Sequence, residues 1–119
     1  MEILQIDDSP VICQLYYDML GSRGHSVSSV NDGKEGLELV SKNDYDLILL
    51  DMCMPQYSGM DFLADLKNQR PSELKKIIVI SRLELDENQL DELLKFGIHS
   101  IQAKPSDLVS LETPEKLVV

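Results

Sequence analysis

Basic residues are scarce in this chain of 119 residues. Its 11 Lys and Arg stand against 21 Asp and Glu, which gives a formal net charge of −10 at pH 7. A nucleic acid is itself polyanionic, so this balance opposes direct nucleic-acid binding, and no Lys/Arg cluster offsets it. The sequence also lacks a bilayer-length apolar run and a signal-peptide pattern, which predicts a soluble cytoplasmic protein without membrane association.

Cysteines are few as well. Cys13 and Cys53 lie on different predicted elements and lack the spacing of a zinc site, so we expect reduced thiols rather than a disulfide. Neither an internal repeat nor a low-complexity linker interrupts the chain. A chain of this length can bury roughly two thirds of its unfolded surface, which predicts one domain over residues 1–119.

Short apolar strands alternate with helical patterns along the whole chain. Strands are predicted at residues 2–6, 25–30, 47–50, 77–80 and 100–103. The first helix begins at Ser9-Pro10, the third covers residues 59–69, and Asp86 opens the fourth in a capping box with Gln89. A short helical pattern at residues 106–112 ends before Pro114. This alternation predicts a doubly wound α/β fold with a five-stranded parallel sheet.

Polar side chains follow four of these strands at the point where each strand ends. Asp7 and Asp8 follow the first strand, Asp51 the third, Ser81 the fourth and Lys104 the fifth. Because parallel strands all end at one edge of the sheet, we expect these five residues to lie together there. Each also has a simpler interpretation on its own: a helix cap or strand end for the aspartates, a turn for Ser81, and a surface ion pair for Lys104.

Three neighbouring carboxylates need a compensating cation. Two unit charges ~4 Å apart repel by roughly 4 kcal/mol at an effective dielectric constant near 20. The candidate ligands are oxygen atoms, which favours Mg²⁺ or Mn²⁺ over zinc. His25 and His99 precede strands, so we expect them at the opposite edge of the sheet.

A carboxylate beside such a cation, a hydroxyl and an ammonium group suits phosphoryl transfer. Asp51 would be the nucleophile and form an aspartyl phosphate, Ser81 would donate a hydrogen bond, and Lys104 would neutralise charge. The sequence has no glycine-rich phosphate-binding loop, so a nucleotide is not the expected donor.

These motifs resemble the response-regulator receiver domain of two-component signalling, of the chemotaxis-regulator kind, over nearly the whole chain. The matching residues are Asp7-Asp8, Asp51 with Met54-Pro55 and Gly59, Ser81, and Lys104-Pro105. The resemblance implies a flavodoxin-like fold with strand order 2-1-3-4-5. It also implies a partner that donates a phosphoryl group, either a sensor histidine kinase or a histidine phosphotransfer protein, and a downstream partner or fused output domain.

The resemblance further implies a role for each site residue. Asp51 is then the phosphoacceptor, Asp8 a direct Mg²⁺ ligand, Asp7 a ligand through water, and the backbone carbonyl of Cys53 another ligand. Ser81 binds the phosphoryl group and Lys104 pairs with it, across a cis Lys104-Pro105 bond. Such a domain catalyses its own phosphorylation and slow autodephosphorylation, and it is not a turnover enzyme.

Two residues depart from the family pattern. Arg82 stands where a small residue is usual, and it either restricts access of small phosphodonors or is a solvated surface charge. Ile101 stands where Tyr or Phe is common, and we expect a buried side chain that does not take part in the usual switch. The apolar end of the chain, residues 117–119, is compatible with docking on the domain, a homodimer contact, or continuation into a longer protein.

Two rival functions remain open at this point. The first is a receiver-fold scaffold that is never phosphorylated, to which Arg82 and Ile101 would be suited. The second is an Asp-nucleophile phosphohydrolase of the haloacid-dehalogenase kind. That chemistry requires a second Asp two residues after the nucleophile, where this chain has Cys53.

Overall fold

The computed structural model describes residues 1–52, 54, 56–81 and 85–103, the last without its side chain. The elements follow in the order β1 (Glu2–Ile6), α1 (Pro10–Gly21), β2 (Ser26–Val30), α2 (Gly33–Lys42), β3 (Leu47–Asp51), α3 (Gly59–Gln69), a 3₁₀ helix (Pro71–Lys76), β4 (Ile77–Ser81), α4 (Glu87–Lys95) and β5 (Ser100–Ala103).

All five strands are parallel and form one sheet in the order β2-β1-β3-β4-β5. The predicted flavodoxin-like architecture and strand order are therefore confirmed. In the centre of the sheet Ile6 pairs with Leu50, and Leu50 pairs with Val79. This register brings the carboxyl ends of β1, β3 and β4 to the same edge of the sheet.

Each face of the sheet has its own apolar cluster, because successive side chains of a strand point to opposite faces. One cluster joins the strands to α2, α3 and α4 and includes Leu4, Ile6, Ile48, Leu50, Val79, Val40, Phe62, Leu66 and Leu93. The other lies on the α1 side and consists of Ile3, Tyr16, Leu20, Leu47, Leu49, Ile78 and Ile80. The central strands β3 and β4 are buried on both faces, which explains their continuous apolar sequences.

The predicted helix starts at Ser9 and Asp86 are confirmed. Ser9 Oγ accepts the backbone N–H of Ile12 at 3.4 Å, and Pro10 is the first residue of α1. Asp86 Oδ1 accepts the N–H of Gln89 at 2.8 Å, and Gln89 Oε1 accepts the N–H of Asp86 at 2.9 Å. These side chains satisfy backbone donors that lack partners within the helix.

The structure differs from the sequence-based prediction at two places. The segment between α3 and β4, where the sequence predicted no element, is the 3₁₀ helix, in which Leu74 and Glu73 are buried and Lys76 Nζ lies 2.9 Å from Glu73 Oε1. The second strand begins at Ser26 rather than at His25, because the N–H of His25 still donates to Leu20 O at the end of α1.

Among the described residues, no helix is both long enough and apolar enough to span a membrane.

Candidate functional site

Asp7, Asp8 and Asp51 form an acidic cluster at the carboxyl edge of the sheet. One carboxylate oxygen from each residue lies within 4.8 Å of the other two. Asp7 and Asp51 are each 2% exposed, and Asp8 is half-buried. The structure thus brings together three of the residues singled out from the sequence, although Asp51 is separated from the other two by more than forty positions.

The turn between β1 and α1 fixes the two neighbouring aspartates. The N–H of Asp7 donates to Val30 O at 3.1 Å, so Asp7 continues the pairing of β1 with β2. Its Oδ1 accepts the N–H of Ser9 at 2.9 Å, and its carbonyl accepts a hydrogen bond from Cys13 Sγ at 3.4 Å. Asp7 is therefore held by its backbone and its side chain, while Asp8 is half-buried. Cys13 is half-buried in α1, and Cys53 lies outside the described residues.

Asp51 is the last residue of β3 and pairs in register with Ile80 of β4. Directly after it, the N–H of Met52 donates to Ile80 O at 3.4 Å, and Met52 O accepts the N–H of Gly59 at 3.1 Å. A Cβ atom on Gly59 would lie 2.9 Å from Met52 Cα and 3.1 Å from Asp51 O. The close approach of α3 to the end of β3 therefore requires glycine at residue 59, and it limits the movement of Asp51.

The donor atoms of the acidic cluster suit a small divalent cation. Carboxylate oxygens are the ligands that Mg²⁺ and Mn²⁺ prefer, and oxygens on opposite sides of one Mg²⁺ lie roughly 4 Å apart. The upper limit of 4.8 Å on the oxygen–oxygen distances of the cluster is compatible with that geometry. The cation would also offset the repulsion among the carboxylates, two of which are nearly excluded from water.

The pKa of Tyr16 reflects burial in the core and the nearby charge of Asp7. This α1 side chain is fully buried. Burial raises the pKa of Tyr16 to about 12, and the negative charge of Asp7 contributes to the increase. The phenol therefore stays neutral beside the carboxylates at any physiological pH.

Ser81 ends β4 on the neighbouring strand and is 3% exposed. It lies one position beyond Ile80, the residue that pairs with Asp51, so its backbone is at the same edge of the sheet. Lys104 follows the last described residue. Lys104, the predicted cis Lys104-Pro105 bond, the Cys53 carbonyl and Arg82 all lie outside the described residues.

The remaining sequence predictions concern Ile101 and the two histidines. Ile101 is partly rather than fully buried and packs against the α2–α4 cluster. His25 and His99 directly precede β2 and β5, at the opposite edge of the sheet, as expected. There His25 Nδ1 lies 3.0 Å from the amino group of Met1, and His99 Nδ1 lies 2.9 Å from Ser100 Oγ.

One buried side chain in the loop between β3 and α3 was not predicted from the sequence. Tyr57, in the loop between β3 and α3, is only 8% exposed, and its hydroxyl donates a hydrogen bond to Asp65 of α3. A signal was present, since Tyr57 is an aromatic residue flanked by the polar residues Gln56 and Ser58. Its partner, eight residues away on a helix, has no sequence signature.

Comparison with known proteins agrees with this geometry. Residues 3–114 match the model of the response regulator receiver domain. The sensor histidine kinase RcsC of Escherichia coli is 35% identical over 108 residues, which is 91% of this chain but 11% of that protein. The chain thus spans about a tenth of the length of this curated relative.

Two solved structures are similar over almost their full length. The Francisella response regulator 1452 receiver domain is 29% identical with a TM-score of 0.79, covering 98% of this chain and 94% of that one. The chemotaxis protein CheY4 of Vibrio cholerae is 25% identical with a TM-score of 0.83, covering 99% and 98% of the two chains.

Proposed function

This chain belongs to the response regulator receiver domain family of two-component signalling, and we propose that it accepts a phosphoryl group on Asp51 and thereby changes its binding to a partner. The observation that supports this proposal best is the acidic cluster: two nearly buried aspartates and a half-buried one, each with an oxygen within 4.8 Å of the others. A divalent cation would offset the mutual repulsion of these carboxylates.

The residues that would hold Mg²⁺ are Asp8 and Asp51 directly and Asp7 through water, with the backbone carbonyl of Cys53 as a further ligand. When bound, Mg²⁺ supplies positive charge that neutralises the oxygens of the transferring phosphoryl group. Mn²⁺ has the same preference for oxygen ligands and could replace it.

Asp51 is the proposed nucleophile. Its carboxylate oxygen forms the new O–P bond, while the N–P bond of a phosphohistidine breaks and the imidazole leaves with the N–P electron pair and takes up a proton. The backbone contacts of Met52 with Ile80 and Gly59 hold this carboxylate at the end of β3. Fixed geometry favours in-line transfer because little rotational freedom is lost at the moment of reaction.

Ser81 and Lys104 are proposed to bind the transferred group. The Ser81 hydroxyl, at the end of the neighbouring strand, would donate a hydrogen bond to a phosphoryl oxygen, and the Lys104 ammonium would pair with a second one. Hydrolysis of the aspartyl phosphate by water would return the domain to its resting form. The cycle is then a signalling switch and not a turnover reaction on a diffusible substrate.

The proposed phosphodonor is a phosphohistidine on a sensor histidine kinase or a histidine phosphotransfer protein. Receiver domains of response regulators act with sensor kinases, and the family assignment extends this class of partner to the chain. The downstream partner is a protein or a fused output domain. The formal charge of −10 disfavours direct contact with nucleic acid.

The test is intact-mass spectrometry after incubation with Mg²⁺ and acetyl phosphate, and separately with a phosphorylated histidine phosphotransfer protein. We expect one added phosphoryl group that is lost on chelation of Mg²⁺ and in Asp51→Ala. Asp44→Ala, at an exposed aspartate on the opposite edge of the sheet, is the matched control and should be labelled like the unmodified chain.

The outcomes separate the alternatives. An adduct from the protein donor alone would indicate that Arg82 restricts small donors, and Arg82→Ala should then restore labelling by acetyl phosphate. No adduct from either donor would contradict the proposal and favour a receiver-fold scaffold that works without phosphorylation.

A further inference from the structure

Tyr57 occupies an unusual position for a loop residue. It lies between β3 and α3, is 8% exposed, and belongs to the apolar cluster that joins the sheet to α2 and α3. Its hydroxyl donates a hydrogen bond to the Asp65 carboxylate, two turns into α3, and lies 3.5 Å from the carbonyl oxygen of Asp61. The loop is thus fastened to α3 through a side chain.

The other side of the Tyr57 ring contacts the start of α2. A Cβ atom on Gly33 would lie 2.5 Å from Tyr57 Cδ2 and 3.2 Å from Met54 Cε. The absence of a side chain at Gly33 therefore allows both side chains to pack against the start of α2. Lys34 Nζ stands 6.0 Å from the centre of the Tyr57 ring, within the range of a cation–π contact. Tyr57 therefore connects the loop to two helices.

The loop fastened by Tyr57 begins at the proposed phosphoacceptor. Only five residues separate Asp51 from Tyr57, and the loop is closed behind Tyr57 by the hydrogen bond from Gly59 to Met52. A shift of Tyr57 would therefore be transmitted to the backbone that follows Asp51. This backbone includes Cys53, the proposed carbonyl ligand.

We propose that Tyr57 is a positioning residue of the Mg²⁺ site, which it stabilises by holding the β3–α3 loop against α3 through its hydrogen bond to Asp65. This inference rests on the proposed function, since it concerns the same cation. It assigns to Tyr57 and Asp65 the task that outer-sphere partners perform in metal sites, which is to fix the geometry of the ligands.

The hydrogen bond from Tyr57 to Asp65 does not depend on pH within the physiological range. Burial, with the hydrogen bond to Asp65 as the next contribution, raises the pKa of Tyr57 well above its usual range. The phenol therefore remains a donor over the whole physiological range of pH. A hydrogen bond from a neutral donor to a carboxylate is stronger than one between two neutral groups.

Calorimetric titration of the full chain with Mg²⁺ tests the inference. Tyr57→Phe keeps the ring and its packing but removes the donor, and we expect the Mg²⁺ dissociation constant to rise about tenfold, the lower end of the range for outer-sphere partners. Asp65→Ala should have a similar effect. Combining Asp65→Ala with Tyr57→Phe should add little, because both changes remove the same hydrogen bond.

Asp65→Asn separates geometry from charge, because asparagine keeps an acceptor oxygen but has no charge. Affinity close to that of the unmodified chain is expected, and a tenfold loss in this variant would mean that the charge of Asp65, not its hydrogen bond, is what matters. Tyr45→Phe, at a partly buried tyrosine near the opposite edge of the sheet, is the matched control and should bind Mg²⁺ normally.

If Tyr57 only stabilises the fold and does not support the Mg²⁺ site, the measurements give a different result. Tyr57→Phe would then lower the melting temperature equally with and without Mg²⁺ and leave the dissociation constant unchanged, which would overturn the inference alone. Failure of the unmodified chain to bind Mg²⁺ would overturn both the proposed metal site and this inference.

Discussion

At the scale of single residues, Gly59 illustrates how closely α3 approaches the strand end that presents Asp51. The nearest atoms to an added Cβ are Met52 Sδ at 2.6 Å and Met52 Cα at 2.9 Å. The thioether can rotate away, but the Cα atom can move only with the backbone of β3. The glycine that follows the motif around Asp51 thus has a steric explanation in this structure.

We expect Gly59→Ala to lower the free energy of unfolding by about 1–3 kcal/mol, the usual cost of overpacking. Urea denaturation measures this change. Gly21→Ala is the matched control: it is the last residue of α1, nothing lies within 4 Å of the added methyl group, and alanine has the higher helix propensity, so stability should stay level or rise. Equal stability of the two variants would argue against a tight contact at Gly59.

Tyr16 predicts a dependence of stability on alkaline pH. Its pKa is about 12 in the folded chain, raised first by burial and then by Asp7, against 10.0 for the free side chain. Between these values the unfolded chain loses the phenolic proton while the folded chain keeps it. The stabilisation is therefore complete below pH 10 and is lost as the pH rises toward 12.

The expected slope in that window is a fall of up to about 1.4 kcal/mol in unfolding free energy per pH unit from this group. Urea denaturation from pH 9 to 12 measures it. Tyr16→Phe should have a shallower slope over the same range, although Tyr57 contributes in the same direction. An unchanged slope in Tyr16→Phe would contradict the assignment.

At the scale of elements, α4 has fewer buried residues than the other α-helices that the structure describes. Within this nine-residue helix only Leu93 is fully buried, and Leu94 is 51% exposed. Little apolar burial therefore holds α4 on the sheet, whereas α3 buries Phe62, Leu63 and Leu66. The reciprocal hydrogen bonds of Asp86 and Gln89 then make up a larger share of the local stability.

We expect Asp86→Ala to destabilise α4 by about 1 kcal/mol, because it leaves the N–H of Gln89 without its acceptor. Amide hydrogen exchange should show faster exchange in α4, with α3 less affected. Asp86→Asn retains a good capping side chain and should remain close to the unmodified protein. Uniformly faster exchange in all helices would mean that the cap supports the whole fold instead.

At the scale of the whole molecule, charge repulsion and the acidic cluster act together. The formal charge of −10 opposes compaction, and three of the acidic groups are concentrated at one edge of the sheet. Any monovalent salt should relieve the general repulsion by screening. Only a cation that binds to the acidic cluster should relieve the repulsion among its three carboxylates at low concentration.

We therefore expect Mg²⁺ at about 100 times its dissociation constant to stabilise the fold by about 2.7 kcal/mol, or roughly 10 °C in melting temperature. Thermal denaturation with NaCl of the same ionic strength is the control, and excess EDTA should reverse the shift. Asp8→Asn should reduce the response to Mg²⁺ while leaving the response to NaCl. Equal shifts with both salts would indicate screening without a site.

Much of the architecture could be predicted from local patterns. The apolar runs of β3 and β4, the caps at Ser9 and Asp86, and the alternation of strands and helices are each short-range signals. Parallel strands all end at one edge, so the same patterns were enough to place Asp7, Asp8 and Asp51 together. The 3₁₀ helix after Arg70 escaped prediction because its six residues are too few to establish a helical period.

The sequence by itself therefore determined the fold class and the identity of the acidic residues, because both depend on periodicity and on strand ends. Only the tertiary structure decided how the site is supported. Three features join segments that are distant in the chain or on different elements. They are the hydrogen bond from Tyr57 to Asp65, the close packing of Tyr57 against Gly33, and the partial burial of Ile101. Such contacts depend on the packing of whole elements, which no local pattern specifies.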